Sequence, residues 1–484
     1  MEENKIDYGE LGFKSGLEIH QQLDTGRKLF CGCPAVLRSD DPDVIIKRNL
    51  HLVAGESGGV DKAAAYQASL GKGFIYQGYS DSTCLLEYDE SPPYPLDDGA
   101  LKIALEISVF LNTKIMPITQ IMRKTVVNGS NTSGFQRTVM IARGGYVETK
   151  YGKVGIEGIF LEEDAAREIS HDEKSVTYRL DRLGIPLIEI STSPDIKSPE
   201  QAKEVALFIG DVLRSCKVKR GLGTIRQDVN MSIRGGARTE LKGVQDPDII
   251  IESMNKEIER QLDTIKQGKK VEASVRNVLS DGNSEFLRPM PGADRMYPET
   301  DLPLLKISKG FIDNVKRNLS KLRSDIENDL RKEGLSDEYI RILIREGKVE
   351  LYKELYHIIQ NPNFIAKVIL LFPKEISAKK KISIDKIDEI LEDKFSDVII
   401  AVKKKKISED HIKHVLKSLV DGKTLEESLK IEKLESSDVE EQVLKLIKSK
   451  PGLSENAYMG LVMKELRGKI TGNQAMEIIR KLMK

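Results

Sequence analysis

With 484 residues and 54.3 kDa, the chain has room for about three domains at roughly 150 residues each and can bury a large core. Lys+Arg and Asp+Glu balance at 76 each, so a nucleic-acid surface must be local rather than a property of the whole chain. The longest apolar runs, Val368–Phe372 and Val398–Val402 among them, fall far short of the ~20 residues of a membrane span, and four Cys cannot form a disulfide framework.

The N-terminus, MEENKIDYGE, is acidic and polar, unlike a secretory or transit signal, so a reducing cytoplasm is the expected location. Period-two alternation then appears at Ser15–His20, Lys153–Phe160, Gly184–Ser191 and Ile225–Arg234, which predicts strands. Helices are predicted at Gly99–Leu111 and at Ser198–Cys216, the second opened by Ser-Pro-Glu. Of the 37 Gly and 17 Pro, 29 and 13 precede residue 301, so residues 1–303 read as one sheet-rich α+β domain. Beyond Pro303, spacings of three and four predict helices over Phe311–Glu333, Ser336–Gly347 and Glu350–Gln360. The charged stretch Lys379–Lys406 marks a further boundary, giving an all-α domain over 304–405 and a small helical tail over 406–484. Residues 441–484 hold nine Lys/Arg against four Glu, which makes the tail the best place for phosphate contacts. A solvated basic face would look the same from charge alone.

The strands carry the chemistry. In Leu17-Glu18-Ile19-His20, alternation puts Glu18 and His20 on one face of an otherwise apolar strand, which is costly unless something binds them. Ile159–Asp164 ends in three acids, Glu162, Glu163 and Asp164, and Gly184–Ile190 carries one, Glu189. In Ile225–Arg234 the residues Arg226, Asp228, Asn230, Ser232 and Arg234 share one face, and Glu240 pairs with Lys242 in the next run. Carboxylates converging from several strands predict a hard-cation site, and the interleaved Arg and Lys predict a phosphate; together they fit phosphoryl transfer. The alternative for any one acid is an internal salt bridge, such as Glu189 with Arg182. As a set they point to a functional site.

Met122–Thr125 with Asn128–Gly134, a Gly/Ser-rich loop, could cradle phosphates through Arg123, Lys124 and Ser130, although an ordinary turn has the same composition. Cys31-Gly32-Cys33 is half of a metal site, while Cys84 and Cys216 stand alone, so a closed zinc site is not expected. No motif supplies a nucleophile able to release ammonia from an amide.

These motifs resemble a known family. Ser15–Leu23, Lys28–Pro34, Leu161–Ala165 and Leu180–Glu189, with Thr239–Lys242 and the tail Lys469–Leu482, are similar to the B/E subunits of tRNA-dependent amidotransferases over essentially the whole chain. Gln21-Gln22, Ala54–Gly58 and Arg123–Thr138 lean to the archaeal E type; a bacterial B type is the nearest alternative.

The resemblance implies an enzyme that phosphorylates the γ-carboxylate of glutamate misacylated on tRNA(Gln), using ATP and Mg²⁺. It then displaces the phosphate with ammonia from an asparaginase-like D subunit, in a complex of two D and two E subunits. It implies a cradle domain with an active site resembling that of glutamine synthetase, followed by helical and tail domains that embrace the tRNA. By matched motif, Glu18, His20, Glu163 and Glu189 are the implied catalytic and metal residues, with Glu162 as a further metal ligand. From the residues themselves, Arg123, Lys124 and Ser130 of the Gly/Ser loop and Lys242 by strand alternation are the expected nucleotide contacts, and Lys464, Arg467, Lys469, Arg480 and Lys481 of the basic tail the expected tRNA contacts.

Two departures stand out. The second cysteine pair that completes a zinc site with Cys31 and Cys33 in bacterial relatives is missing. So is the aspartyl-tRNA-synthetase-like insertion of archaeal relatives, expected near Val275–Asp281. A free-standing carboxylate–amine ligase would not need the basic tail, and a non-catalytic tRNA chaperone would not need the acids.

Overall fold

The computed structural model describes residues 7–50, 58–60, 62–221, 223–290, 296–319, 321–429, 436–465 and 472–483. They divide into two compact units, residues 1–323 and 324–484. Among the described residues no helix is long and apolar enough to cross a membrane.

The first unit is a mixed α+β body built on a twelve-stranded sheet. Its strands, in chain order, are β1 (Lys14–Gln22), β2 (Lys114–Ile115), β3 (Ile121–Thr125), β4 (Phe135–Arg143), β5 (Gly145–Thr149), β6 (Gly152–Glu163), β7 (Pro186–Thr192), β8 (Ile225–Ser232), β9 (Thr239–Lys242), β10 (Ser274–Val278), β11 (Ser284–Pro289) and β12 (Met296–Pro298). The order across the sheet is β11-β10-β9-β8-β1-β7-β6-β4-β3-β12, with β2 on β4 and β5 on β6. Pairing is antiparallel except between β9 and β10, which the helix over Pro247–Lys266 connects.

The alternation seen in the sequence becomes two faces. Leu17 and Ile19 of β1, Val229 and Met231 of β8, Ile188 and Ile190 of β7 and Ile159 and Leu161 of β6 are buried in one core. Helices α1 (Asp98–Phe110), α2 (Pro199–Ser215) and α3 (Pro247–Lys266) supply its other side through residues such as Leu105, Ile209 and Met254. Their starts follow from side-chain caps: Asp97 accepts from the Ala100 N–H at 2.8 Å, and Ser198 accepts from the Gln201 N–H at 3.2 Å with Pro199 behind it. Covering one face with helices leaves the polar residues of the same strands on the other.

A second, four-stranded sheet takes the order 167–171, 175–179, 73–78 and 44–48, around Phe74, Tyr76, Val176 and Tyr178. Helix α4 (Lys309–Arg317) packs Val315 into the main core, so the first helix beyond the Gly/Pro-rich region belongs to the first unit. In the second unit one core runs from Leu330 to Leu419, across residue 405. A separate small core gathers Val439, Val443, Tyr458, Val462, Ala475 and Ile479.

Candidate active site

Strand register decides what meets on the uncovered face. His20 of β1 stands opposite Glu189 of β7 and opposite Arg226 of β8. Glu18 stands opposite Asp228 and Ser191. Two rows of polar side chains therefore cross three neighbouring strands, at the cross-strand spacing where side chains touch. Of these, Glu18, His20, Arg226 and Asp228 line a cavity of about 860 Å³ with Lys124, Gln136, Glu162, Asp164, Glu240 and Lys242.

At its centre, His20 Nε2 lies 3.3 Å from Glu189, 3.6 Å from Glu18 and 3.9 Å from Glu162. The Lys124 ammonium is 2.5 Å from Glu162 and 3.6 Å from Glu189. Ser191 Oγ and Gln136 Nε2 donate to Glu189 and Glu162 at 3.0 and 3.2 Å. To one side, Lys242 bridges Asp228 at 2.6 Å and Glu240 at 2.8 Å.

Three carboxylates thus crowd one imidazole and one ammonium. Burial, then repulsion by Glu189, pushes the Glu18 carboxyl up to about 7. Glu189 is itself buried, but Lys124 and His20 outweigh that and hold it below the carboxylate range. Burial works against protonation of His20, yet its hydrogen bond and charge pairing with Glu189 prevail and raise it. One candidate ligand atom each from Glu18, His20 and Glu189 lies within 4.8 Å of the others, and this donor set suits a hard divalent cation.

The acids divide differently from expectation. Glu162 faces the cavity, whereas Glu163 points to the opposite face of β6, 3.3 Å from Arg137. Arg137 also binds Glu299 at 2.8 Å. Arg123 is tied to Glu299 and Asp301 and does not line the cavity, unlike its neighbour Lys124. Ser130 is held by Asn128 in a turn outside the cavity. Arg182 pairs not with Glu189 but with Asp164, at 3.8 Å. Asp164 and Arg226, both in the wall, gain no role from the strands read singly; the available signal is Arg226 sharing a face with Asp228.

The cysteines also gather. Cys84 does not stand alone: Cys31, Cys33, Cys84 and Glu87 bring their ligand atoms within 4.8 Å of one another. Glu87 accepts from Cys31 Sγ at 3.2 Å and from the fully buried Lys28 at 2.9 Å. Three thiols and a carboxylate suit a thiophilic cation, so a tally of cysteine pairs is not an argument against zinc here.

In the tail, Arg480 pairs with Glu455 at 3.0 Å and Lys481 with Glu440 at 2.7 Å. Lys464 lies in the last turn of the helix Glu455–Glu465. Arg467 and Lys469 lie outside the described residues, as do Ala54–Ser57.

Residues 13–313, the stretch that carries this cavity, match the family profile described as the GatB/GatE catalytic domain. The chain belongs to the GatB/GatE family. Among curated relatives, the glutamyl-tRNA(Gln) amidotransferase E subunit of Methanocaldococcus jannaschii is 37% identical over 632 positions, covering 99% of this chain and all of the relative. E subunits of the same enzyme from Methanococcus maripaludis and Methanosarcina acetivorans are 33% and 34% identical, covering 99% of this chain and 99% and 98% of theirs. This GatB/GatE chain therefore sits on the archaeal E-type branch. Alignments of that length against 484 residues mean that these relatives carry a long segment that this chain lacks. Between β10 and β11, where the resemblance places an insertion, the chain closes a tight turn: Leu279 N–H donates to Asn283 O at 2.8 Å, and Gly282 has φ +79°.

Proposed function

We propose that the chain is the E-type subunit of a glutamyl-tRNA(Gln) amidotransferase, which activates the γ-carboxylate of tRNA-bound glutamate with ATP and amidates it with ammonia from a partner. The observation that carries this reading is the convergence of Glu18, His20, Glu162 and Lys124 in one cavity of the matched catalytic domain, with Glu189 3.3 Å from His20.

Glu18, His20 and Glu189, with Glu162 beside them, would hold Mg²⁺, which supplies charge neutralisation for a transferring phosphoryl group. The chain's own part is positioning. Glu189 is oriented by Ser191 and His20, and Glu162 by Gln136 and Lys124, so the acids stand ready before substrate arrives. Lys124 and Lys242, each now held by carboxylates, are cations of the same cavity wall. Zinc takes no part in this reading.

The same reading includes an asparaginase-like D subunit as ammonia source, a complex of two D and two E subunits, a glutamine-synthetase-like active-site architecture, and a cytoplasmic setting. It also includes the division into a cradle over 1–303, a helical domain over 304–405 and a tRNA-binding tail over 406–484. The test is ATP cleavage with and without glutamate-charged tRNA(Gln), for the native chain and Glu189→Gln. Cleavage that needs the charged tRNA and Glu189 supports the reading; cleavage indifferent to both overturns it.

A further inference from the structure

The cavity has a cationic end. Asp164, 1% exposed at the end of β6, accepts from Gln22 Nε2 at 2.6 Å and from Arg226 Nη2 at 2.9 Å, with Arg182 Nε 3.8 Å away. Arg182 spends its guanidinium on the carbonyls of Ala165 and Ala166, at 2.8 and 2.9 Å, behind the wall. Two guanidiniums therefore share one buried carboxylate, and the surplus positive charge rests on the more exposed of them: the Arg226 side chain is 38% exposed and lines the cavity. The lysines of the wall differ. Lys124 and Lys242 are each matched by at least one carboxylate within 2.6 Å that answers to no second cation at comparable distance.

Placement agrees with charge. Arg226 is the direct cross-strand neighbour of His20 in the β1–β8 register, and both line the same cavity. A polyanionic substrate entering a cavity rich in carboxylates needs a fixed cation that those carboxylates do not already neutralise. A guanidinium held by one edge and open at the other fits a phosphate oxygen pair better than an ammonium would.

We propose that Arg226, fixed by Asp164 and standing beside His20, anchors a phosphate group of the bound substrate. The proposal rests on the reading above for the reaction, but not for the binding. Two substrates bring phosphate here: the nucleotide, and the acceptor end of the charged tRNA. Asp164 acts through Arg226 and is a positioning residue.

The test uses the full chain with ammonium chloride as nitrogen donor, and measures KM separately for ATP and for charged tRNA in native, R226Q and R226K proteins. ATP–Mg²⁺ binding without tRNA is titrated alongside, and Mn²⁺ binding reports the integrity of the metal centre. R226Q is expected to raise one KM about tenfold or more with kcat and Mn²⁺ binding little changed, and R226K to recover part of the loss. A rise confined to ATP, matched in the titration, assigns the nucleotide; a rise confined to tRNA assigns the acceptor end. D164N should move the same KM as R226Q. Both KM values within twofold of native in R226Q would overturn the proposal, as would R226Q and R226K losing Mn²⁺ binding together. A native chain that forms no amide but loses ATP–Mg²⁺ affinity in R226Q would sink the reaction, not the anchor.

Discussion

Glu162 and Glu163 are adjacent in β6 and serve opposite sides of the sheet. Glu162 lies 3.9 Å from His20 in the cavity, and Glu163 lies 3.3 Å from Arg137 on the other face. Their substitutions should therefore separate. Glu162→Gln is expected to slow amide formation by ~10²-fold or more in protein that still folds, with a stability cost of its own because Glu162 is buried and paired with Lys124. Glu163→Gln weakens a buried charged pair and should cost about 1–3 kcal/mol of stability, visible in a denaturant titration. If Glu163→Gln were the one that stopped turnover in folded protein, the assignment of faces to roles would be wrong.

Glu18→Gln and Glu189→Gln should each abolish amide formation while leaving tRNA affinity within about twofold, since both side chains belong to the metal-type group and the loss falls on phosphoryl stabilisation, ~10²-fold or more. Near-normal turnover of either variant at saturating Mg²⁺ would rule out the site.

Given ammonium, the purified chain should convert glutamate-charged tRNA(Gln); given glutamine or asparagine, it should not. Among the described residues no thiol shares a hydrogen bond or ion pair with a histidine: Cys31, Cys33 and Cys84 surround Glu87, and His20 is engaged by acids. Glutamine-supported product from the single chain would show that it holds an amidase centre of its own.

The tail should contribute ionic contacts to tRNA. Deletion from Leu453 is expected to weaken binding and flatten its salt dependence by roughly 0.7–0.9 in log–log slope for each phosphate lost. That deletion also removes Tyr458, Val462 and Ile479 from the small core around Val439 and Val443, so Lys464→Gln with Arg480→Gln and Lys481→Gln is the cleaner comparison. Because Arg480 and Lys481 already pair with Glu455 and Glu440, their share of the slope should be smaller than that of Lys464. Parallel lines for native and triply substituted protein would mean the charge is only a solvated face.

Cys216, at the C-terminal end of α2, should resist alkylation in the folded chain. Burial, and then Glu106, pushes its thiol up to about 12, and only the thiolate reacts. At pH 9 an ordinary thiol is largely deprotonated and Cys216 is not, so mass spectrometry should find it unmodified until the chain is unfolded. Rapid labelling at pH 9 in folded protein would contradict that environment.

Much of the site was legible from residue order because period two is a local property. Leu17 and Ile19 against Glu18 and His20, or Gln227 and Val229 against Arg226 and Asp228, sort onto two faces whatever the strand pairs with, and the helix starts at Asp97 and Ser198 are set by caps within three residues. Residue order alone determined that acids and imidazole lie on one side of apolar strands, and that the helices follow the sheet-rich region. Only the tertiary structure decided that Glu162 rather than Glu163 meets His20, that Arg123 turns to Glu299 while Lys124 enters the cavity, that Cys84 and Glu87 close on Cys31, and that Arg226 stands beside His20. Alternation says which residues share a face within a strand, but the phase between strands is set by register. Register is fixed by pairing between segments as far apart as β1 and β8, whose contacts no local pattern contains.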